Sequence, residues 1–380
     1  MKKMYWRPRR VSRTALSLIS IASVGGYIGV ERFSPREQEP YYQEKLEASQ
    51  LTNDAFKAIR AERLRLGIAI NPEADPAQSG MIGALVTPVT TNAGSLIAKQ
   101  TSVNPNFAAV VVSYLKEIGL SEGDLVGIGY SGSFPAINVA VLSAVETLKL
   151  RPIIIASASS SQWGANEPNF LWIDMEKLLF DKKIFHHRSV AASVGGIEDK
   201  GLGMSKRGQR IIEDRILAHD LRLINPIDFD DSIEQRMRIY RQEAGADPIR
   251  AYINVGGGST SVGRKIGKKM FTPGVNLKTP TASYPIDSVM GRFVREGVPV
   301  IHLSYVQKLA EHYAFPAPPL VMPNVGEGHV FYRNRVNVWL VSALLLGILG
   351  ALYLFVRSDL GFRMTRTTRR SDKAHPEPMV

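Results

Sequence analysis

The chain has 380 residues, no cysteine and a formal net charge of +12. Nine of the twelve excess positive charges lie in residues 1–13 and 357–380, beside two uncharged runs at 14–30 and 336–356. Lys and Arg in such places hold the cytoplasmic ends of transmembrane helices. The charge therefore does not indicate nucleic-acid binding, and the lack of cysteine is compatible with an oxidising compartment.

The two uncharged runs suggest a membrane topology. As helices they would span roughly 25 and 31 Å at about 1.5 Å per residue, enough to cross a bilayer. The first run could instead be a cleaved signal peptide, since basic residues precede it. We expect an inner-membrane protein that crosses the lipid bilayer twice and has both termini in the cytoplasm. Its segments would be a basic tail (1–13), a transmembrane helix (14–30), a helical stalk and loop (31–80), an extracytoplasmic α/β domain with a possible subdivision near 200 (81–335), a second transmembrane helix (336–356) and a basic tail (357–380).

Between the runs, apolar strands alternate with helical segments. Residues 37–66 have a charged helical pattern with a break near Thr52. Strands are predicted at 81–86, 125–129, 152–156, 189–194, 251–255 and 298–303, and helices at 107–118, 135–148, 170–180, 206–219 and 232–244. This alternation predicts an α/β fold, with a mostly parallel sheet covered by helices on both faces and flanked by the two transmembrane helices.

The turn after the second predicted strand carries two candidate nucleophiles, Ser131 and Ser133. It resembles the G-x-S-x-G elbow of α/β-hydrolases, but Ser133 stands where the second glycine belongs. Ser133 also fits a helix N-cap, which needs no chemistry. A hydrolase would require a base and an orienting acid, for which His302 and Asp174 are the best candidates and Asp287 is another. A histidine on an apolar strand can equally be structural.

Other strand ends carry small and hydroxyl residues, which suit ligand binding because the carboxyl ends of parallel strands meet at one edge of the sheet. A glycine loop follows the fifth predicted strand, within a stretch (248–286) that has six basic residues and no acidic one. Such a loop can bind a carboxylate or phosphate. The candidate ligand-binding residues are Gly132, Ser159, Ser160, Gly195, Gly196, Glu198, Asp199, Asn254, Gly256, Gly257, Gly258, Ser259 and Thr260.

Nucleotide and metal sites are not predicted. The glycine loop lacks the spacing of a dinucleotide fingerprint or a Walker A motif, so no cofactor is expected. Asp228, Asp230 and Asp231 precede a helix, where acidic residues are favoured by the helix dipole alone. His186 and His187 would point to opposite sides of a strand.

Several motifs together resemble the poly-gamma-glutamate system protein family, membrane proteins associated with the bacterial machinery that makes and exports this polymer. They are SGSFPAIN at 131–138, WGAN at 163–166, WIDME at 172–176, SVGG at 193–196 and NVGGG at 254–258. The resemblance implies a membrane-anchored component that binds the anionic polymer or the membrane subunits of its synthase on the outer face of the membrane. The family supplies no catalytic residues. The alternative is a membrane-tethered serine hydrolase or transferase acting on an extracellular polymer, so whether the protein is an enzyme stays open.

Overall fold

A computed structural model describes residues 13–32, 36–267, 270–278, 286–335 and 337–357. The predicted basic tails lie outside the described residues except for Arg13 and Arg357. The chain forms two compact units, of which the larger extends from Gln38 to Phe331. The smaller unit contains helix α1 (Arg13–Arg32), strand β1 (Arg36–Gln38) except for Gln38, strand β11 (Tyr332–Asn334), which pairs with β1, and helix α13 (Val338–Arg357).

The larger unit is built on a mixed seven-stranded sheet, in the order β7-β6-β3-β2-β8-β10-β9. Every neighbouring pair is parallel except β9 and β10. A separate two-stranded sheet joins β4 to β5. The strands are β2 (Leu125–Ser131), β3 (Arg151–Ser157), β4 (Asn166–Glu167), β5 (Phe170–Leu171), β6 (Ala191–Ser193), β7 (Arg222–Ile224), β8 (Ile249–Val255), β9 (Gly274–Asn276) and β10 (Val300–Leu303).

The helices between these strands bury the sheet. Helix α5 contacts β2 and packs with α2 and α4, while α8 and α11 contact β3 and β8, respectively. Strand β2 is buried from Leu125 to Tyr130, as expected for a parallel strand covered by helices. The helices are α2 (Tyr42–Arg65), α3 (Leu96–Ser102), α4 (Phe107–Glu117), α5 (Pro135–Thr147), α6 (Trp172–Asp181), α7 (Lys206–Ala218), α8 (Phe229–Ala244), α9 (Ser259–Val262), α10 (Arg264–Gly267), α11 (Val289–Arg295) and α12 (Val306–His312).

The predicted α/β class is confirmed, but one predicted strand does not form and two strands of the seven-stranded sheet were not predicted. Residues 81–86 form no strand, because their backbone bonds to a loop instead: Gly83 N–H donates to Trp163 O at 3.1 Å and Trp163 N–H donates to Ala84 O at 2.9 Å. Strands β7 and β9 were not predicted. Each has only three residues, which is too short for a period-2 pattern to be recognised.

The helix expected to form a stalk belongs to the larger unit. Helix α2 is continuous across Thr52, whose hydroxyl donates to Ala48 O at 2.9 Å. Its buried face includes Ala55, Phe56 and Ile59, each no more than 1 % exposed, and it packs against α4 and α5. Several of the charged residues that suggested a stalk lie on its exposed side, whereas Lys45 and Arg63 are buried and donate to backbone carbonyl groups. Among the described residues, Gln38 to Phe331 form one compact unit that is not divided near residue 200.

The prediction of two flanking transmembrane helices is wrong. Within the described residues, no helix combines the length and the apolar character needed to cross a bilayer. A span requires about 20 consecutive, mostly apolar residues.

Candidate functional site

The order of the strands identifies one place where a ligand is expected to bind. From the central strand β2 the chain proceeds through β3, β6 and β7 toward one edge, and then returns to β8 on the other side of β2. In parallel sheets, ligands bind outside the carboxyl ends of the strands where the order reverses in this way. The crevice between the ends of β2 and β8 is therefore the first candidate site.

A cavity of about 580 Å³ lies at this reversal point, within the usual size range of small-ligand sites. The loops after β2, β3, β6 and β8 all contribute to it, together with the segment leading into α3. The predicted convergence of the strand-end loops is thus observed. Its lining is rich in hydroxyl groups, which come from Thr91, Ser95, Ser131, Ser133, Ser157, Ser159, Ser161, Ser259, Thr260 and Ser261.

Lys99 provides a buried amine at this cavity. It lies on α3, which begins at the N-cap Ser95, whose side chain accepts from Ala98 N–H. The Lys99 ammonium donates to Ser133 O, lies 3.0 Å from Ser161 Oγ and is 4.1 Å from the centre of the Phe134 ring. Burial disfavours the charged form and lowers the pKa of Lys99 from 10.5 to about 7. Near neutral pH the amine is therefore available as a base.

Ser133 links the two elements that meet at Lys99. Its carbonyl accepts from Lys99 Nζ, and its hydroxyl accepts from the backbone N–H of Ser161 at 3.1 Å. It precedes the N-cap of α5, which is Phe134, so the predicted N-cap role of Ser133 is not what its side chain does. The hydroxyl instead fixes the loop after β3 against the turn after β2.

Asp199 is fully engaged in a buried network. It forms an ion pair with Arg236 at 2.8 Å, and both side chains are 3 % exposed. Its two oxygens also accept from the hydroxyls of Ser193 at 2.6 Å and Ser232 at 2.7 Å, while Arg236 donates to Ser157 Oγ at 3.1 Å. The carboxylate therefore stabilises the loop after β6, and the structure gives it no free position for a general base.

The glycine loop after β8 forms the opposite wall. Gly256 has φ +87°, a left-handed conformation that favours glycine, and its carbonyl accepts from Asn254 Nδ2 at 2.7 Å. Ser259 lines the cavity, and its buried hydroxyl has no hydrogen-bond partner among the described residues. At the rim, Arg264 is 60 % exposed and lies 3.5 Å from Glu198.

The structure brings most of the predicted residues together. Those that line the cavity are Ser131, Ser133, Ser159, Gly196, Glu198, Asp199, Gly257, Gly258, Ser259 and Thr260. Four more adjoin lining residues in the same loops, namely Gly132, Ser160, Gly195 and Gly256. Gly195 has φ +82°, and a side chain there would also meet Ser159 Oγ.

His302 and Asp174 do not complete a triad with Ser131. His302 is 1 % exposed within the sheet, where its Nδ1 accepts from Asn254 Nδ2 at 3.0 Å. Burial lowers the pKa of His302 to about 4, which suits a neutral acceptor. Asp174 accepts from Leu171 N–H at 2.7 Å and lies 2.6 Å from Nε2 of His219, which is not a cavity residue. The predicted serine–histidine–acid triad is therefore not assembled.

Asp287, the other candidate for the orienting acid, is also engaged elsewhere. Its carboxylate pairs with Arg292 at 2.7 Å and with Arg295 at 2.8 Å. In the described part of the chain, no group of three or more metal-ligating side chains occurs.

Sequence reasoning missed the two cavity residues with the most distinctive electrostatics. Lys99 lies in a short helix with no recognised motif, and Arg264 was noted only as one of several basic residues in its stretch. The sequence feature that could have drawn attention to Lys99 is the hydroxyl-rich loop at 87–92, which precedes it in the chain. Sequence could not show that the side chain is buried, because the residues covering it come from loops more than thirty positions away.

The fold and the site define a class: an α/β protein with a hydroxyl-lined, partly cationic crevice at the reversal point of a mostly parallel sheet. Comparison with known proteins adds no closer relationship, because no family model, curated protein or solved structure matches this chain. The arguments about function therefore depend on the chemistry of the cavity.

Proposed function

We propose that the protein binds poly-γ-glutamate through a carboxylate group held in the strand-end cavity, as a component of the synthesis or export of that polymer. The observation that carries the proposal is the lining of hydroxyl groups beside the exposed Arg264 guanidinium. Hydroxyl donors and a guanidinium form charge-assisted hydrogen bonds with carboxylates. The resemblance of the sequence motifs supports the identity of the polymer, and the synthase subunits stay a predicted partner.

Two features of the cavity favour an acidic ligand. The hydroxyl groups of its lining can donate hydrogen bonds to the oxygens of a ligand. Arg264 lies 4.3 Å from the centre of the Phe229 ring and pairs with Glu198 at 3.5 Å, through side chains that are 60 % and 39 % exposed. Such an exposed pair contributes little stability, so a ligand carboxylate can replace Glu198 at a small cost.

The test is calorimetric titration of the full chain with a short poly-γ-glutamate. We expect Arg264→Glu to weaken binding about tenfold or more, equivalent to about 1.4 kcal/mol. The matched control is Arg250→Glu, which makes the same charge change at an exposed position near the amino end of β8. That end of the strand is remote from the cavity, so binding should change less than twofold.

Binding should also weaken as salt rises, because exposed charges are screened beyond about 8 Å at physiological ionic strength. Two results would contradict the proposal. One is the absence of heat on titration with the polymer. The other is an equal loss of affinity in the two charge-reversal variants, which would indicate attraction to the net charge of the chain rather than to this cavity.

A further inference from the structure

The buried lysine contacts the hydroxyl group of Ser161. Lys99 Nζ lies 3.0 Å from Ser161 Oγ, within hydrogen-bonding distance, and both residues line the cavity. A neutral amine has one lone pair and two N–H groups. One N–H donates to Ser133 O and the other can lie against the Phe134 ring, which leaves the lone pair for the Ser161 hydroxyl.

We propose that Ser161 and Lys99 form a nucleophile–base pair that cleaves or transfers the acyl group of an amide or ester bound in the cavity. The pair meets the geometric requirement for an activated serine, namely a base within hydrogen-bonding distance of the hydroxyl. Ser161 is held in place independently of Lys99, because its backbone N–H donates to Ser133 Oγ at 3.1 Å. Ser133 thus acts as a positioning residue for both members of the pair.

The reaction balances without a cofactor. Ser161 Oγ attacks the acyl carbon while its proton passes to Lys99 Nζ. The bond to the leaving amine or alcohol then breaks, the leaving group takes that proton, and the acyl group remains as an ester on Ser161. Water attacks this ester and gives a proton to Lys99, which returns it to Ser161 Oγ as the acid departs. With an amine in place of water, the acyl group is transferred instead.

The electrostatics of the cavity support a neutral amine. Burial is the cause of the lowered pKa of Lys99, about 7, which lies near the value that favours a general base at neutral pH. The charged groups that share the cavity are Glu198, Asp199 and Arg264. Glu198 is paired with Arg264, and Asp199 is paired with Arg236. Helix α12 packs against α3 and carries Lys308, Glu311 and His312, all exposed.

The experiment treats the full chain with a biotinylated alkyl fluorophosphonate, which phosphonylates activated serines with loss of fluoride, and locates the adduct by peptide mass spectrometry. We expect one adduct, at Ser161, formed at a rate that rises with pH through a midpoint near 7. Ser161→Ala should abolish the adduct, and Lys99→Met should slow its formation by about 100-fold or more.

The matched control is Ser113→Ala, which removes a half-buried hydroxyl on α4 that donates to Ala109 O outside the cavity. This variant should react like the unsubstituted chain. If Lys99→Met does not fold, as judged by circular dichroism, the pH profile and adduct position in the unsubstituted chain still decide the matter. An unmodified chain, an adduct at another serine, or a Lys99→Met chain that folds and reacts at the original rate would overturn the proposal.

The outcome is separate from that of the binding proposal. The fluorophosphonate reports on Ser161 whatever anion the cavity prefers, whereas the titration reports on Arg264 whether or not a bond is cleaved. A chain that binds the polymer but is not phosphonylated is a binding protein. A chain that is phosphonylated but does not bind the polymer acts on another acyl compound.

Discussion

Lys99 is the residue for which burial has the largest consequence for the proposed chemistry. It is 2 % exposed, and its amine has two oxygen neighbours and an aromatic ring. Placing an ammonium in such an environment is costly unless the group can lose its proton. The same burial that makes the amine a base near neutral pH should therefore make the stability of the fold depend on pH.

The direction of that dependence follows from the lowered pKa. Between about pH 7 and pH 10.5 the native Lys99 is mostly neutral while the unfolded one is charged, so the unfolded chain binds more protons and the free energy of unfolding rises with pH. Below about pH 7 both states are protonated and the full penalty of burying the charge is present. We compare the free energy of unfolding of the unsubstituted chain with that of Lys99→Met. In that window the value for the unsubstituted chain should rise relative to the variant by up to about 1.4 kcal/mol per pH unit.

Urea unfolding at several pH values between 6 and 10 measures this difference. The control is Lys149→Met, which replaces a lysine whose side chain is 69 % exposed and so removes no buried ammonium. Its difference from the unsubstituted chain should stay nearly constant with pH. A Lys99→Met difference that is equally flat would show that the amine keeps its proton after burial.

At the scale of elements, α2 shows how a charged sequence can belong to a core. Several of the charges that suggested a stalk are exposed, but Lys45 and Arg63 are buried with the mainly apolar face, and the helix packs against α4 and α5. Helix α5 is apolar on nearly every side because it lies between this layer and β2. The apolar helix therefore requires a second layer of helices over it, and α2 provides part of that layer.

Adjacent residues on α2 allow a direct test. Phe56 is 1 % exposed, and Phe56→Ala should lower the free energy of unfolding by about 3–5 kcal/mol, the usual cost of truncating a buried aromatic. The side chain of Lys57 is 66 % exposed and pairs with Asp54, three residues away, so Lys57→Ala should change stability by less than about 0.5 kcal/mol. Similar, small effects of both would indicate that α2 is a detached stalk after all.

At the scale of the whole molecule, Arg236 joins segments that are far apart in sequence. From α8 it reaches Ser157 at the end of β3, Ser193 at the end of β6 and Asp199 in the next loop. These partners are up to 79 residues away along the chain. The network therefore holds the cavity wall in place, and its loss should affect both folding and ligand binding.

Removing one member of this network leaves a buried charge unpaired, which typically costs 3–5 kcal/mol. We expect Arg236→Met to lower the free energy of unfolding by that amount in chemical denaturation. Arg241→Met, one turn further along the same helix, removes an exposed pair with Glu296 and should cost less than about 1 kcal/mol. Equal losses in the two variants would show that the buried ion pair of Arg236 contributes no more to stability than the exposed pair of Arg241.

The sequence alone determined the α/β class, the central strands and most helices, because apolar periodicity, proline positions and turn residues act locally. It also identified the strand-end loops, since parallel strands bring their carboxyl ends to one edge of a sheet. The tertiary structure decided that α2 is part of the core, that 81–86 bonds to a loop, and that His302 and Asp174 belong to other contacts. It alone brought Lys99 to Ser161, 62 residues away, because burial, and with it the pKa of an amine, is set by neighbours that chain order does not reveal.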